Sequence, residues 1–144
     1  MINILSGIDS TSSALNAERI RMDVVSQNIA NVNTTRGPDG KPYARHQVVF
    51  EAVLGDQLAA GSPPGSRPLE VRVPRVEIDK RAPRQVYQPS HPHADANGMV
   101  AMPDINMYEE MVDLMSASRA YEANLSAVKT ARSMALQALA IGKR

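Results

Sequence analysis

All ten prolines of this 144-residue chain lie between Pro38 and Pro103, leaving residues 1–37 and 104–144 with none. A proline inside a helix removes a backbone donor, and its ring collides with the preceding turn. Long helices are therefore confined to the two ends, and the middle must be strands, turns and loops.

The front end carries Ile8, Leu15, Met22 and Ile29 at intervals of seven, with Ile4 and Val25 between some of them. This is the stripe of an amphipathic helix, expected over about residues 8–32. Thr11 and Glu18 interrupt its heptad, which argues against a lone two-stranded zipper and for contact with several neighbours. At the back, Met107, Met111, Leu114, Tyr121, Leu125, Val128, Ala135 and Leu139 follow helical spacings, broken by Ser118 and Arg132. Val112, Met115, Met134, Leu136 and Ile141 widen the stripe, so this helix expects burial on more than one side. Asn106 followed by Glu109 reads as a cap, Gly142 as a stop, and the helix as 107–141.

A 35-residue helix is roughly 52 Å long, whereas a compact chain of this size is about 38 Å across. Such a helix overhangs its own domain. Its exposed stripe must be covered by the other terminal helix and by other chains, or it aggregates.

Between the ends, Pro38, Asp39 and Gly40 form a proline-led turn. Strands are expected at Gln47–Leu54, at Leu69–Ile78 with a bulge or break after Pro74, at Val86–Tyr87, and at Met99–Met102 after the Asn97-Gly98 turn. Residues 55–68 read as a loop rich in Gly, Ser and Pro. The expected fold is mainly α with a small β insert. Residues 1–37 hold the N-terminal helix and its exit motif, 38–103 a central proline-rich region with a short antiparallel sheet, and 104–144 the C-terminal helix. The terminal helices are expected to pack as a coiled-coil-like pair.

Composition excludes several classes of function. The chain has no Cys, which removes thiolate catalysis, disulfides and Cys-ligated zinc, and its net charge of +1 is far from a nucleic-acid-binding field. Aromatics are only 3%, too few to interleave with the bases Arg67, Arg72, Arg75, Lys80, Arg81 and Arg84 as stacking platforms. The longest apolar run is four residues, as at Ala138–Ile141, against roughly 18 or more for a spanning helix, so no membrane insertion is expected. The opening residues lack the basic start and apolar core of a cleavable signal.

His91, His93, Asp95 and the distant His46 are candidate metal ligands, but they lack the spacing of a defined site, and an exposed loop is expected. Ser126-x-x-Lys129 matches one acyl-transfer motif without its companions and reads as a helical turn. Asp104, Glu109, Glu110 and Asp113 read as helix-start acids that complement the macrodipole, not as paired catalytic carboxylates. No enzyme, cofactor or metal site is expected.

The densest constellation is Ser26–Gly37, SQNIANVNTTRG, at the exit of the first helix. Asn tolerates the left-handed conformation, and Asn and Thr side chains bond nearby backbone. Asn28, Asn31, Asn33, Thr34 and Thr35 are thus expected to terminate the helix and set the departure angle, with Gly37 supplying a positive φ.

Asn28–Gly37, NIANVNTTRG, resembles the N-terminal signature of the flagellar axial proteins of rod and hook. Gly37–Tyr43, Gln47–Glu51, His91–Gly98, Val100–Pro103 and Glu109–Asn124 resemble the proximal-rod members of that family, over nearly the whole chain; the 57–68 loop is longer than typical. The resemblance implies a structural subunit of the bacterial flagellar basal body, in the periplasmic rod, that assembles helically and transmits torque from motor to hook. It implies export by the flagellar type III apparatus. The partners it implies are copies of the chain and the rod proteins FlgB, FlgF, FlgG and FliE. The helix-exit motif carried over is Asn28, Ala30, Asn31, Thr34 and Gly37, with Ser116, Arg119, Tyr121, Glu122 and Asn124 as the family segment of the second helix. The expected subunit interface is Ile8, Leu15, Met22, Val25 and Ile29 on the first helix. On the second it is Met107, Met111, Leu114, Arg119, Tyr121, Leu125, Val128 and Leu139. Alternative readings are a soluble helical adaptor, which would form a discrete oligomer, another axial subunit such as FlgB, or a small hydrolase using His91 and His93.

Overall fold

The computed structural model describes residues 4–54 and 69–141. The element order is α1 (Ile4–Ala30), β1 (His46–Leu54), β2 (Leu69–Ile78), β3 (Arg84–Tyr87), β4 (Met99–Met102) and α2 (Met107–Ile141). The expected loop at 55–68 and the Gly142 stop lie outside the described residues.

α1 begins four residues earlier than expected and ends two earlier, at Ala30. Its last turn tightens: the Asn31 amide N–H reaches both Gln27 O at 3.0 Å and Asn28 O at 3.2 Å, and Val32 N–H reaches Ile29 O at 3.4 Å. Three-residue hydrogen bonds of this kind close a helix without a left-handed residue. Accordingly, neither Gly37 nor any described Asn takes a positive φ, contrary to expectation; among the described residues only Gly40 (71°) and Gly98 (73°) do.

Those two glycines belong to a repeated device. Gly40 N–H bonds Gly37 O at 3.0 Å while Gly37 N–H bonds Lys41 O at 2.7 Å, and Gly98 N–H bonds Asp95 O at 3.0 Å while Asp95 N–H bonds Met99 O at 2.8 Å. Each is a four-residue turn closed by a glycine in the left-handed region, the geometry that lets the chain reverse.

The strands form two two-stranded sheets, β1 with β2 and β3 with β4, where one small sheet was expected. β3 and β4 are antiparallel, with Arg84 opposite Met102 and Tyr87 opposite Met99. β2 runs unbroken through Pro74. A two-stranded ribbon has a free side on each strand, where a residue without an N–H is tolerated.

α2 spans the residues expected. Asn106 caps it: its Oδ1 accepts Tyr108 N–H at 3.1 Å, and its Nδ2 donates to Glu109 Oε1 at 3.0 Å. The capping pair is present, though Glu109 takes the side-chain amide of Asn106 and not its backbone N–H.

The chain divides into two units that interleave in sequence. One holds the described residues within Met1–Ile20, Phe50–Pro74 and Ala117–Arg144, the other Arg21–Val49 and Arg75–Ser116. In the first, Ala17 and Ala117 are buried, and Val71 N–H bonds Ser13 Oγ at 3.2 Å. In the second, Val24, Val25, Val32, Val100, Pro103 and Ile105 form the apolar core. Here Asn28 bonds Glu110 and Arg21 bonds Asp113, so the stretches of α1 and α2 in this unit run antiparallel.

Candidate functional site

Asn28 and Glu110 are polar residues at core positions. Asn28 lies three residues after Val25 and four before Val32, and Glu110 lies three after Met107 and four before Leu114, so helical spacing puts both on the apolar stripes. They are 0% and 1% exposed. A polar group so placed destabilises the fold unless it is fully hydrogen-bonded.

Asn28 reaches that condition. Its Nδ2 donates to His46 O at 2.9 Å and to Glu110 Oε2 at 3.0 Å. Its Oδ1 accepts His46 N–H at 2.9 Å and the Tyr43 hydroxyl at 3.0 Å. These four bonds use the amide's full capacity of two donors and two acceptor positions. The paired bonds to His46 N–H and O reproduce what a neighbouring strand would supply, so the α1 side chain secures the first residue of β1. Glu110 Oε1 accepts Arg45 Nε–H at 2.6 Å, completing a charge-assisted pair whose arginine is 25% exposed.

Hydrogen-bond direction settles the imidazole. Both groups facing Asn28 Nδ2 only accept, which orients the amide, and the single Tyr43 proton then goes to Asn28 Oδ1. His46 Nδ1, 2.7 Å from the Tyr43 oxygen, must be the donor, so neutral His46 carries its proton on Nδ1. Burial first, and then the Glu110 charge, raise the Tyr43 phenol above its ordinary value of 10.0.

The rest of the exit motif works locally. Asn31 Nδ2 donates to Gln27 O at 2.9 Å, and Thr34 Oγ1 donates to Asn31 Oδ1 at 3.1 Å. Thr34 O accepts Tyr43 N–H at 3.1 Å, which joins the exit to the Gly37–Lys41 turn. Ala30 is exposed, and Gly37 acts through its backbone. Asn28 departs from the expectation: its side chain bonds no nearby backbone, and its partners lie 15, 18 and 82 residues away.

The helix-start acids also divide. Glu109 caps, but Glu110 is consumed by Asn28 and Arg45, Asp113 pairs with Arg21, and Asp104 Oδ2 accepts Arg81 Nη1–H at 3.1 Å. Arg81 also holds Asp79, Nε to Oδ2 at 2.7 Å, and these hydrogen bonds keep the Asp79 carboxyl below its usual value. Both line a cleft of about 300 Å³ with Lys41, Tyr43 and Arg45.

The histidine loop assembles no ligand set. His91 Nδ1 accepts His93 N–H at 3.1 Å, His93 Nδ1 meets Thr35 Oγ1 at 2.8 Å, and Asp95 Oδ1 accepts the N–H groups of Asn97 and Met99, each at 2.8 Å. Among the described residues no group of three or more metal-ligating side chains comes together. No helix is long and apolar enough to cross a membrane, among the described residues.

The expected interface residues are unevenly covered. Val25 is buried; Ile8, Leu15, Met22, Ile29, Leu114, Tyr121, Leu125 and Val128 are half-buried; Met107, Met111, Arg119 and Leu139 are exposed. Tyr43 and Arg45 were not singled out from sequence, and His46 was read only as a distant ligand. Their signal was indirect: Asn28 and Glu110 sit where a core side chain belongs and therefore need polar partners.

The model of the flagella basal body rod protein family matches residues 8–38, and that of the flagellar basal body rod FlgEFG protein C-terminal region matches residues 96–141. The flagellar basal-body rod protein FlgC of Borreliella burgdorferi is 41% identical, with 97% of this chain and 98% of the relative covered. FlgC of Salmonella typhimurium is 41% identical over the same shares, and FlgC of Bacillus subtilis is 37% identical over 94% of this chain and 96% of its own. With a polar clamp joining the exit of α1 to β1 and α2, and with similarity running along almost the whole length, the chain belongs to the FlgC family of flagellar basal-body rod proteins.

Proposed function

We propose that the chain is a structural subunit of the flagellar basal-body rod, not an enzyme, and that it sits in the proximal rod and passes torque from motor to hook. The observation that carries this reading is the end of α2. Met134, Leu136, Leu139 and Ile141 are 57–77% exposed on a helix of 35 residues, an apolar surface that a subunit keeps only if neighbours cover it. Residues 1–37, 38–103 and 104–144 act as exit-bearing helix, β region and partner-seeking helix. The terminal helices pack as a coiled-coil-like tube made from many copies. Neighbours are other copies and rod proteins such as FlgB, FlgF, FlgG and FliE, reached after export by the flagellar type III apparatus. Asn28, Glu110, Arg45, Tyr43 and His46 supply rigidity, since force transmitted along α1 and α2 reaches the β region through them.

The test is incorporation. Leu139→Asp alters a residue that is 69% exposed in the subunit, and Leu125→Asp alters the half-buried centre of the stripe. Both variants are made and exported, are missing from purified basal bodies, and leave cells non-motile. Wild-type motility with Leu139→Asp overturns the reading, as does a wild-type chain that forms only a discrete soluble oligomer and is absent from basal bodies.

A further inference from the structure

The turn that leads into β4 carries a chemically weak dipeptide. Asn97 is the only asparagine of the chain that is followed by glycine. In an Asn-Gly step the glycine nitrogen can attack the asparagine carboxamide carbon and close a cyclic imide, because no side chain on the glycine obstructs the approach. Asn97 is exposed, so packing of its side chain does not prevent that attack.

The backbone of the turn does oppose it. Gly98 N–H, the group that must lose its proton to become the nucleophile, donates to Asp95 O at 3.0 Å. A hydrogen bond made by the protonated form keeps the proton in place. The next peptide unit is held at both ends: Gly98 O accepts Gln88 N–H at 2.9 Å, and Met99 N–H donates to Asp95 Oδ1 at 2.8 Å. Asp95 Oδ1 also accepts Asn97 N–H at 2.8 Å. Gly98 itself is seated with φ at 73° against Tyr87 and Pro89, so closely that a Cβ there would lie 3.0 Å from Tyr87 Cε2. Turning the Gly98 nitrogen toward the Asn97 side chain therefore requires breaking bonds to Asp95 and leaving that seat.

We propose that Asn97 is a deamidation site which the Asp95 turn holds closed, so that its conversion marks chains in which this turn has opened. In the reaction the Gly98 nitrogen forms a bond to Asn97 Cγ, and the Cγ–Nδ2 bond breaks. Nδ2 leaves as ammonia with the proton given up by the Gly98 nitrogen. Water then opens the imide. Addition at Cγ gives aspartate on an unaltered backbone, and addition at the main-chain carbonyl gives isoaspartate, whose peptide bond runs through Cγ. No oxidant or reductant takes part, and the sum is one water consumed for one ammonia released. The isoaspartyl product adds a methylene to the main chain inside a turn whose ends are fixed by Asp95 N–H on Met99 O at 2.8 Å, so refolding does not erase the mark.

Peptide mapping of the purified full chain, at one pH and temperature, reads both the amide-to-acid mass gain and the isoaspartyl isomer at Asn97. Folded wild type converts at least about tenfold more slowly than wild type unfolded in guanidinium chloride, the rate factor of one favourable hydrogen bond. In the unfolded state Gly98→Ala converts several-fold more slowly than wild type, because the attacking nitrogen is then hindered. In the folded state Asp95→Ala, which lacks the acceptor for Asn97 and Met99, converts about tenfold faster than wild type. Asp95→Asn retains an acceptor oxygen and stays near the wild-type rate, with circular dichroism showing the helices intact in both variants. Equal rates for folded and unfolded wild type overturn the proposal, as does conversion in the unfolded chain no faster at Asn97 than at the other asparagines. Equal rates for folded Asp95→Ala and Asp95→Asn overturn it too. Should Asp95→Ala not fold, wild type in sub-denaturing guanidinium chloride decides: conversion rises in step with hydrogen exchange at the Met99 amide, and conversion independent of that exchange overturns the proposal.

Discussion

Asn28 and Glu110, 82 residues apart in sequence, meet in a 3.0 Å hydrogen bond with both side chains shut off from solvent. The bond joins the last turn of α1 to the first turn of α2. Through the other three bonds of Asn28 and the Arg45 pair of Glu110, it also determines where β1 begins.

Asn28→Ala leaves His46 N–H, His46 O, the Tyr43 hydroxyl and Glu110 Oε2 each short of a partner. At about 1–3 kcal/mol for a buried unsatisfied group, the loss of stability is at least about 3 kcal/mol, read by urea unfolding. Asn28→Asp keeps the shape but sets a carboxylate oxygen against Glu110 Oε2. Close like charges raise a carboxyl pKa on folding, so the native state binds the extra proton more tightly. This variant gains stability as pH falls from neutrality, and a profile parallel to wild type sinks the assignment.

Arg45→Met is more harmful than Glu110→Gln. The first leaves a buried carboxylate without its cation, which costs roughly 3 kcal/mol, the low end for breaking a buried pair because Arg45 is part-exposed. The second keeps an acceptor for Asn28 and releases an arginine that reaches water. Thermal unfolding of both variants in one buffer ranks them, and equal losses would mean that the charge is not what matters.

Tyr43→Phe changes the alkaline limb of stability. The folded phenol holds its proton above the ordinary pKa of 10.0, so beyond that value the unfolded state binds fewer protons than the native one and stability falls with rising pH. The Phe variant loses about 1 kcal/mol at neutral pH with its hydrogen bonds but shows a shallower decline above pH 10. An unchanged slope contradicts the assignment.

Gly98→Ala and Gly40→Ala separate backbone strain from crowding. Both glycines have positive φ, but a Cβ on Gly98 lies 3.0 Å from Tyr87 Cε2 and 3.1 Å from Pro89 Cβ, whereas one on Gly40 meets nothing within 4 Å. The shared conformational cost is about 1–2 kcal/mol. Gly98→Ala therefore melts below Gly40→Ala, and the reverse order rejects the packing account.

Local signals carried the regular elements well. Asn106 and Glu109 marked the start of α2 because a cap acts within one turn, and the proline-free ends announced both helices because helical periodicity is written in neighbouring residues. Signals that depend on distant partners were weaker. Asn28 read as a helix stop because local bonding is what Asn does by default, and Glu110 read as a macrodipole acid because its arginine lies 65 residues away. Gly37 took an ordinary φ because three-residue hydrogen bonds had already ended the helix.

The order of residues alone determined two long helices around a proline-bearing β region, and an α2 that carries apolar residues over much of its circumference. These follow from steric rules and periodicity that need no knowledge of distant neighbours. Only the tertiary structure decided which polar residues are interior. A buried amide and carboxylate are tolerated solely where donors and acceptors from α1, the approach to β1 and α2 converge in three dimensions, and no spacing along the chain encodes that convergence.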